Sequence, residues 1–303
     1  MPRVWIVTGS SGFLGTEVCT QMSNLGFEVI GIDRKVPLYL PKWQTVKSEF
    51  ADFTNHLKFP KNKKFGVIHC AALKTVTDSN LNGDEFMYNN IEKSISLFQS
   101  AHEAGCRNFV FVSSAAVYEE SEHRLSELNP TYPKSVYGLT KLLFENHLKE
   151  QKLYRDSSVI IIRPFNIIGR NTLGIPSESV VTRILKCITN DDQFILRTGP
   201  NNQAPVRDYI DVKDVARLVT FFSKNQKTGI EIINACTGVG INLSSLIEKC
   251  ENILSRKLHS ERENLSELEI LNSTGDPRSA KSRFGWTAVV TLEESIKREI
   301  AST

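Results

Sequence analysis

The chain has 303 residues, 40% of them apolar and 23% charged, a composition that supports a sizeable buried core and excludes intrinsic disorder. Lys plus Arg exceed Asp plus Glu by 37 to 34, and a net charge of +3 is too small to argue for nucleic-acid or membrane-surface binding. No apolar run approaches the ~20 residues of a membrane helix, and Met1-Pro2-Arg3 leads into an apolar strand with no signal-like series of regions, so no secretory signal is expected.

Taken in chain order, VWIVTG (Val4 to Gly9) reads as a buried strand. Helical spacing follows at Val18, Met22 and Leu25, with Gly26 as the stop. Phe27 to Asp33 is a second strand. The basic stretch Lys58 to Lys64 carries no aromatic array and reads as a solvated loop. Later apolar runs are FGVIHCAA (Phe65 to Ala72), NFVFVSS (Asn108 to Ser114) and VIIIRP (Val159 to Pro164), with helix patterns near Phe86–Ala104 and Tyr137–Gln151. Short apolar strands separated by helices imply a parallel sheet covered on both faces. After Pro164 the rhythm breaks. Residues 166–205 are rich in Asn, Gly, Pro and Thr around one helix pattern near Val180–Thr189. EIINAC (Glu231 to Cys236) is strand-like, and a helix opens near Asn242. The six cysteines (Cys19, Cys70, Cys106, Cys187, Cys236, Cys250) form no CxxC pair. They are expected to be reduced structural thiols, with the cytoplasm as default location and no metal site.

The turn TGSSGFLG (Thr8 to Gly15) sits between the first strand and first helix. Gly9 permits a tight turn, Gly12 lets backbone approach a pyrophosphate, and Gly15 allows close helix–sheet packing. Phe13 and Leu14 open the helix, whose free N–H groups and partial positive charge attract an anion. Asp33 ends the second strand, 18 residues after Gly15, where a carboxylate can accept from an adenosine ribose diol and repel a 2′-phosphate. That favours NAD over NADP, with Arg34 and Lys35 beside it as the opposing signal. The fold class expected is α/β, a Rossmann doubly wound parallel sheet with a smaller C-terminal substrate-binding region. Residues 1–165 would form the NAD-binding domain, with 206–235 returning to it, and 166–205 and 236–303 the substrate-binding region.

YGLTK (Tyr137 to Lys141) places a phenol and an ammonium four residues apart, on one helix face. A phenol of pKa ~10 is a poor base at neutral pH, and a nearby lysine charge, joined by an oxidised nicotinamide, is expected to lower it. Alone, this spacing usually marks a surface pair; downstream of a dinucleotide turn it points to proton transfer.

These motifs, together with ADF (Ala51 to Phe53), HCAALKTV (His69 to Val76), FVSSAAVY (Phe111 to Tyr118), RPFNIIG (Arg163 to Gly169), VRDYIDVKDVA (Val206 to Ala216) and NACTGVGINLSSL (Asn234 to Leu246), resemble the extended short-chain dehydrogenase/reductase family. The resemblance is to its NAD-dependent epimerase/dehydratase type, most of all the UDP-galactose (UDP-glucose) 4-epimerases, and covers nearly the whole chain. It implies that Ser114 and Tyr137 hydrogen-bond the reacting sugar hydroxyl and that Lys141 also holds the nicotinamide ribose. It implies adenine contacts at Asp52 and Phe53, a cofactor lining at Ala71, Ala72 and Lys74, and a nicotinamide border at Asn89 and Phe165. Asn166 and Arg207 would grip the substrate's diphosphate, the alternative for Arg207 being a surface pair with Asp208. Arg278, in GDPRSAKSRFGW (Gly275 to Trp286), is a candidate second diphosphate ligand.

Dehydratases of this family carry an Asp-Glu pair after the hydroxyl residue, and 3,5-epimerases a reactive cysteine; here those positions are Ala115 and Ala116. What remains is chemistry needing one hydride and one proton. The expectation is a nucleotide-sugar 4-epimerase. The alternatives are a nucleotide-sugar 4-ketoreductase or dehydrogenase with net redox, and a non-catalytic dinucleotide sensor. Glu119 stands where the family usually has glycine, and IPSESVVT (Ile175 to Thr182) departs from its Asn-Leu-x-Pro-like stretch, leaving the nucleotide base open. The helices at 86–104 and 137–151 resemble those through which relatives form a four-helix homodimer contact.

Overall fold

The computed structural model describes residues 2–35, 41–48, 64–74, 79, 81–151, 156–267 and 269–300. Asp52, Phe53 and most of the basic stretch from Lys58 lie outside the described residues. The chain opens with β1 (Val4–Thr8), α1 (Phe13–Asn24), β2 (Glu28–Asp33) and β3 (Gln44–Lys47). It continues through β4 (Phe65–His69), α2 (Gly83–Met87), a π-helical turn (Tyr88–Glu92), α3 (Lys93–Glu103) and β5 (Asn108–Val112). A 3-10 turn (Ala115–Val117), α4 (Val136–Glu150), β6 (Ser158–Pro164) and β7 (Asn166–Ile168) follow. Next are α5 (Val180–Asn190), β8 (Phe194–Thr198), β9 (Val206–Asp211), α6 (Val212–Lys224) and β10 (Gly229–Ala235). The last elements are β11 (Gly240–Asn242), α7 (Leu243–Leu254), β12 (Ser260–Asn264), β13 (Asn272–Ser273), α8 (Arg278–Phe284) and α9 (Leu292–Ile300).

Seven parallel strands form one sheet in the order β10-β6-β5-β4-β1-β2-β3. The central strands β1, β4, β5 and β6 are largely apolar because both faces are covered, whereas edge strand β3 is polar and exposed, and side-chain alternation divides the buried residues between the two faces. Trp5, Val7, Val110 and Ile160 pack toward Val18 and Met22 of α1 and Leu218 and Phe222 of α6. Val4, Ile6, Phe109 and Ile161 pack toward Leu97 and Phe98 of α3 and Phe144 and Leu148 of α4. Because β1 lies between β2 and β4, the chain leaves its neighbours in opposite directions. The crevice this opens at the strands' carboxyl ends is where such sheets bind ligands.

A smaller layer is organised on β9, which pairs antiparallel with β11 and parallel with β13 and β7, while β8 pairs with β12. Its core holds Ile184 of α5, Leu246 of α7 and Ile296 of α9. Side-chain caps start four of the described helices: Ser135 accepts from Gly138 N, Ser179 from Thr182 N, Asp211 from Lys213 N, and Asn242 from Ser244 N.

Two expected boundaries shift. Of residues 206–235, the part that rejoins the large sheet is α6, packed on α1, and β10, in register with β6. Residues 206–211 stay in the small sheet. The reason is that β7 continues directly from β6 and offers Asn166–Ile168 as the partner of Tyr209–Asp211. Within 236–303, Ala280 and Trp286 join the core beneath the large sheet rather than the small layer. Their local apolar pattern is too short to reveal which layer they cover. All six cysteines are free thiols. No helix among the described residues is long and apolar enough to cross a membrane.

Candidate active site

A cleft of about 1040 Å³ runs across the crevice and between the two layers. Its floor begins at the glycine turn. Gly9 adopts φ +70°, and an added Cβ would lie 2.8 Å from the Ala71 backbone. At Gly15 an added Cβ would lie 2.0 Å from the Gly9 carbonyl oxygen, so helix and turn touch backbone to backbone. Gly12 caps α1, whose first turn carries no acidic residue to compete with an incoming anion. Asp33 is held by two backbone donors, Ser11 N to Oδ2 and Lys35 N to Oδ1, both at 3.0 Å. This cradle, with its fixed carboxylate at the end of β2, fits a dinucleotide with a free ribose diol.

Beneath the turn a buried polar chain joins β1, β4 and α3. Thr8 Oγ1 lies 2.7 Å from His69 Nδ1, and His69 Nε2 lies 2.9 Å from Ser94 Oγ. Burial pushes His69 down to about 3, so the ring is neutral. Thr8 Oγ1 also accepts from Ala71 N at 3.3 Å, which ties the loop after β4 to the same polar chain. Buried Asn90, in the π-helical turn, bonds both backbone groups of Leu73 and Thr140 Oγ1, tying the loop after β4 to α4. Its neighbour Asn89 lines the cleft.

The reacting groups come from β5 and α4. Ser114 caps the 3-10 turn by accepting from Ala116 N, and it is hydrogen-bonded to the Tyr137 phenol. One turn along α4, Lys141 is buried, and its Nζ donates to the Val112 carbonyl at 2.9 Å, 5.8 Å from the centre of the Tyr137 ring. Two turns along, buried Glu145 accepts from Ser113 Oγ at 2.5 Å and from both Nε and Nη2 of Arg163. The guanidinium of Arg163 lies 4.7 Å from the centre of the Tyr118 ring. Thus the residues beside Ser114 and Tyr137 are fixed by a buried ionic network of Ser113, Glu145 and Arg163.

The expected lowering of the phenol is reversed in the protein alone. Burial pushes Tyr137 above its ordinary value, opposed by the Ser114 hydrogen bond, and burial pushes Lys141 down to about 8. A dry site disfavours phenolate and ammonium alike, and residue spacing carries no information about desolvation.

Every expected site residue within the described chain lines the cleft except Arg278. The Arg278 side chain is 85% exposed and forked onto Asp276 at the start of α8. Phe165 is buried and stacks on Tyr118, and Asn166 Nδ2 donates to the Asp208 carbonyl. Arg207 does not pair with Asp208, whose carboxylate accepts from Thr237 N, Thr237 Oγ1, Gly238 N and Gly275 N. Lys74 forms an ion pair at 2.8 Å with Glu178, from the stretch that departs from the family pattern. Arg197, Ser266, Glu269 and Ile270 also line the cleft. They come from separate strands and loops without a local motif, so nothing in the sequence linked them.

Residues 5–236 match the family described as the NAD dependent epimerase/dehydratase family. The UDP-glucose 4-epimerase of Caenorhabditis elegans is 28% identical over 95% of this chain and 94% of its own length. The structure of MoeE5 in complex with UDP-glucose and NAD superimposes with TM-score 0.87 at 23% identity, covering 97% of this chain and 96% of that one. UDP-glucose 4-epimerase from Bifidobacterium longum, in complex with NAD+ and UDP, gives TM-score 0.87 at 22% identity over 98% and 96%.

Proposed function

The chain belongs to the NAD dependent epimerase/dehydratase family, and from that premise we propose that it is an NAD-dependent nucleotide-sugar 4-epimerase. Named relatives are UDP-glucose 4-epimerases matched along almost their whole length. The observation that carries the reading is the composition of the reacting end. Ser114 and Tyr137 share a hydrogen bond beside buried Lys141, and the adjoining turn offers only Ala115 and Ala116. Elimination of water or proton exchange at carbon needs a further acid, base or thiol there. The described carboxylates lining the cleft stand elsewhere: Asp33 at the end of β2, Glu178 on Lys74, Glu269 on Ser266.

When bound, NAD supplies a reversible hydride acceptor. Gly9, Gly12, Phe13, Leu14 and Gly15 hold its diphosphate, and Asp33, with Arg34 beside it, its adenosine ribose. Ala71, Ala72, Lys74, Asn89 and Phe165 complete the cofactor wall, and Lys141 holds the nicotinamide ribose. Tyr137 accepts the proton of the sugar O4 and returns it to the opposite face after the 4-keto sugar has turned. Ser114 orients the same oxygen. Tyr137 needs cationic help for this, because burial alone holds its proton on. Asn166 and Arg207 keep the nucleoside diphosphate anchored while the sugar turns.

The enzyme works as a homodimer joined through α2–α3 and α4, where Tyr88, Leu139 and Leu143 are exposed. Six free thiols suit a reducing compartment, the cytoplasm. The test is incubation with UDP-, GDP-, CDP- and dTDP-sugars, with products resolved by NMR with and without NAD(P)H. Interconversion of C4 epimers without added reductant is expected. Stoichiometric consumption of external NADH with formation of a reduced sugar would replace epimerase by ketoreductase.

A further inference from the structure

A nucleoside diphosphate carries two adjacent phosphates, and Arg278, exposed and forked onto Asp276, does not line the cleft, so any second cation for them comes from the cleft wall itself. Two arginines of the cleft wall reach neighbouring residues of one connection, Arg197 to Glu269 and Arg207 to Ile270 and Leu271. Arg207 is fixed there: Nη1 donates to the carbonyls of Val206 and Leu271 at 2.9 Å each, and Nη2 to that of Ile270 at 2.5 Å. Three of its five N–H groups are thereby committed to backbone. Arg197, on β8, is held differently. Its side chain is 52% exposed and lies 3.5 Å from Glu263 and 3.6 Å from Glu269, too far for good hydrogen bonds. Glu269 is the anchored partner, its Oε2 accepting from Ser266 N at 3.0 Å and Ser266 Oγ at 3.1 Å. The remaining cation of this wall, Lys134, is engaged with Glu120 at 2.8 Å.

We propose that Arg197 is the second cation for the substrate's diphosphate, held loosely by Glu263 and Glu269 until the anion draws it into the cleft. The proposal rests on the nucleotide-sugar reading above and adds to it the residue that sets preference for two phosphates over one. The exchange is favourable because exposed ion pairs of this length contribute little, whereas a guanidinium fork on phosphate forms short, charge-assisted bonds. Glu269 stays in place on Ser266 and opposes the anion, so removing its charge strengthens binding.

The test uses NAD-loaded enzyme and isothermal titration calorimetry with UDP and UMP as probes. In Arg197→Gln the preference for UDP over UMP falls about tenfold, and KM for UDP-glucose rises by the same factor while kcat stays within about twofold. In Glu269→Gln, UDP binds more tightly than in the parent enzyme. An unchanged UDP to UMP ratio in Arg197→Gln overturns the assignment, as does a Glu269→Gln loss equal to that of Arg197→Gln. A parent enzyme that converts UDP-glucose while Arg197→Gln keeps the ratio refutes Arg197 alone. A parent enzyme that neither prefers UDP nor converts any nucleotide sugar refutes the underlying reading and this proposal with it.

Discussion

Replacing Lys141 with methionine should remove activity and, at neutral pH, stabilise the cofactor-free protein. The ammonium is buried, and desolvation lowers its pKa from 10.5 to about 8, with Cys70 and Glu145 only partly offsetting the burial. At 1.36 kcal/mol per pH unit, that fall corresponds to a native-state cost of roughly 3 kcal/mol. Methionine fills a similar volume without charge but leaves the Val112 carbonyl without its lysine donor, a loss of about 1 kcal/mol. The net gain is about 2 kcal/mol at pH 7, or roughly 4 °C in Tm. Below pH 8 both native and unfolded chains keep the proton, so the cost is fully present. Between pH 8 and 10.5 the unfolded chain binds more protons than the native one, so the parent protein gains stability as pH rises. The variant's advantage therefore shrinks through that window and reverses to about −1 kcal/mol near pH 10.5. Buried neighbours do not confuse the reading, since His69 is pushed down to about 3 and Cys70 up to about 12. Denaturant midpoints of both proteins from pH 7 to 10.5 give the difference directly. A variant less stable at pH 7, or a gap independent of pH, would refute the claim that lysine burial is a stability cost retained for function.

Tyr137→Phe should lower kcat by at least about 10²-fold with little change in UDP binding, because only the proton carrier is lost; epimer interconversion and calorimetry measure the two effects separately. Gly15→Ala forces a Cβ to within 2.0 Å of the Gly9 carbonyl, and backbone cannot yield as a side chain can. A loss of about 1–3 kcal/mol and of copurifying NAD is expected, read by thermal melting and absorbance of the released nucleotide. Glu145→Ala leaves buried Arg163 without its carboxylate and should cost about 3–5 kcal/mol in a denaturant titration.

The buried ion pair of Glu145 and Arg163 explains why a fold with so apolar a sheet keeps charge in its middle. Glu145 sits on the same face of α4 as Tyr137 and Lys141, and through Ser113 it fixes the end of β5 where Ser114 begins. Replacing the pair with apolar residues could preserve stability, but the β5–α4 junction would lose the bonds that aim its hydroxyls. Glu299 has a comparable task in the small layer. From α9 it accepts from Gly169 N and from the hydroxyls of Ser177 and Thr182, holding the loop that carries Glu178 into the cleft.

Features set by neighbours a few residues apart were legible in the chain itself. The glycine turn, Asp33 at the end of β2 and the Tyr137–Lys141 pair depend on a tight turn and on helical periodicity. Those are local consequences of backbone geometry. The near-continuous apolar runs VWIVT and NFVFV, buried along almost their whole length, likewise required a sheet covered on both faces. Only the tertiary structure decided which way long side chains turn and how dry the site becomes. It sent Arg278 outward onto Asp276 and Arg207 onto three backbone carbonyls, and it brought Arg197 of β8 together with Glu269 of the loop between β12 and β13. In the protein alone, it also made burial outweigh the Ser114 hydrogen bond at Tyr137, raising the phenol's pKa. The physical reason is common to all of these: partner choice and desolvation depend on atoms far apart in the chain, whose proximity no short-range pattern encodes.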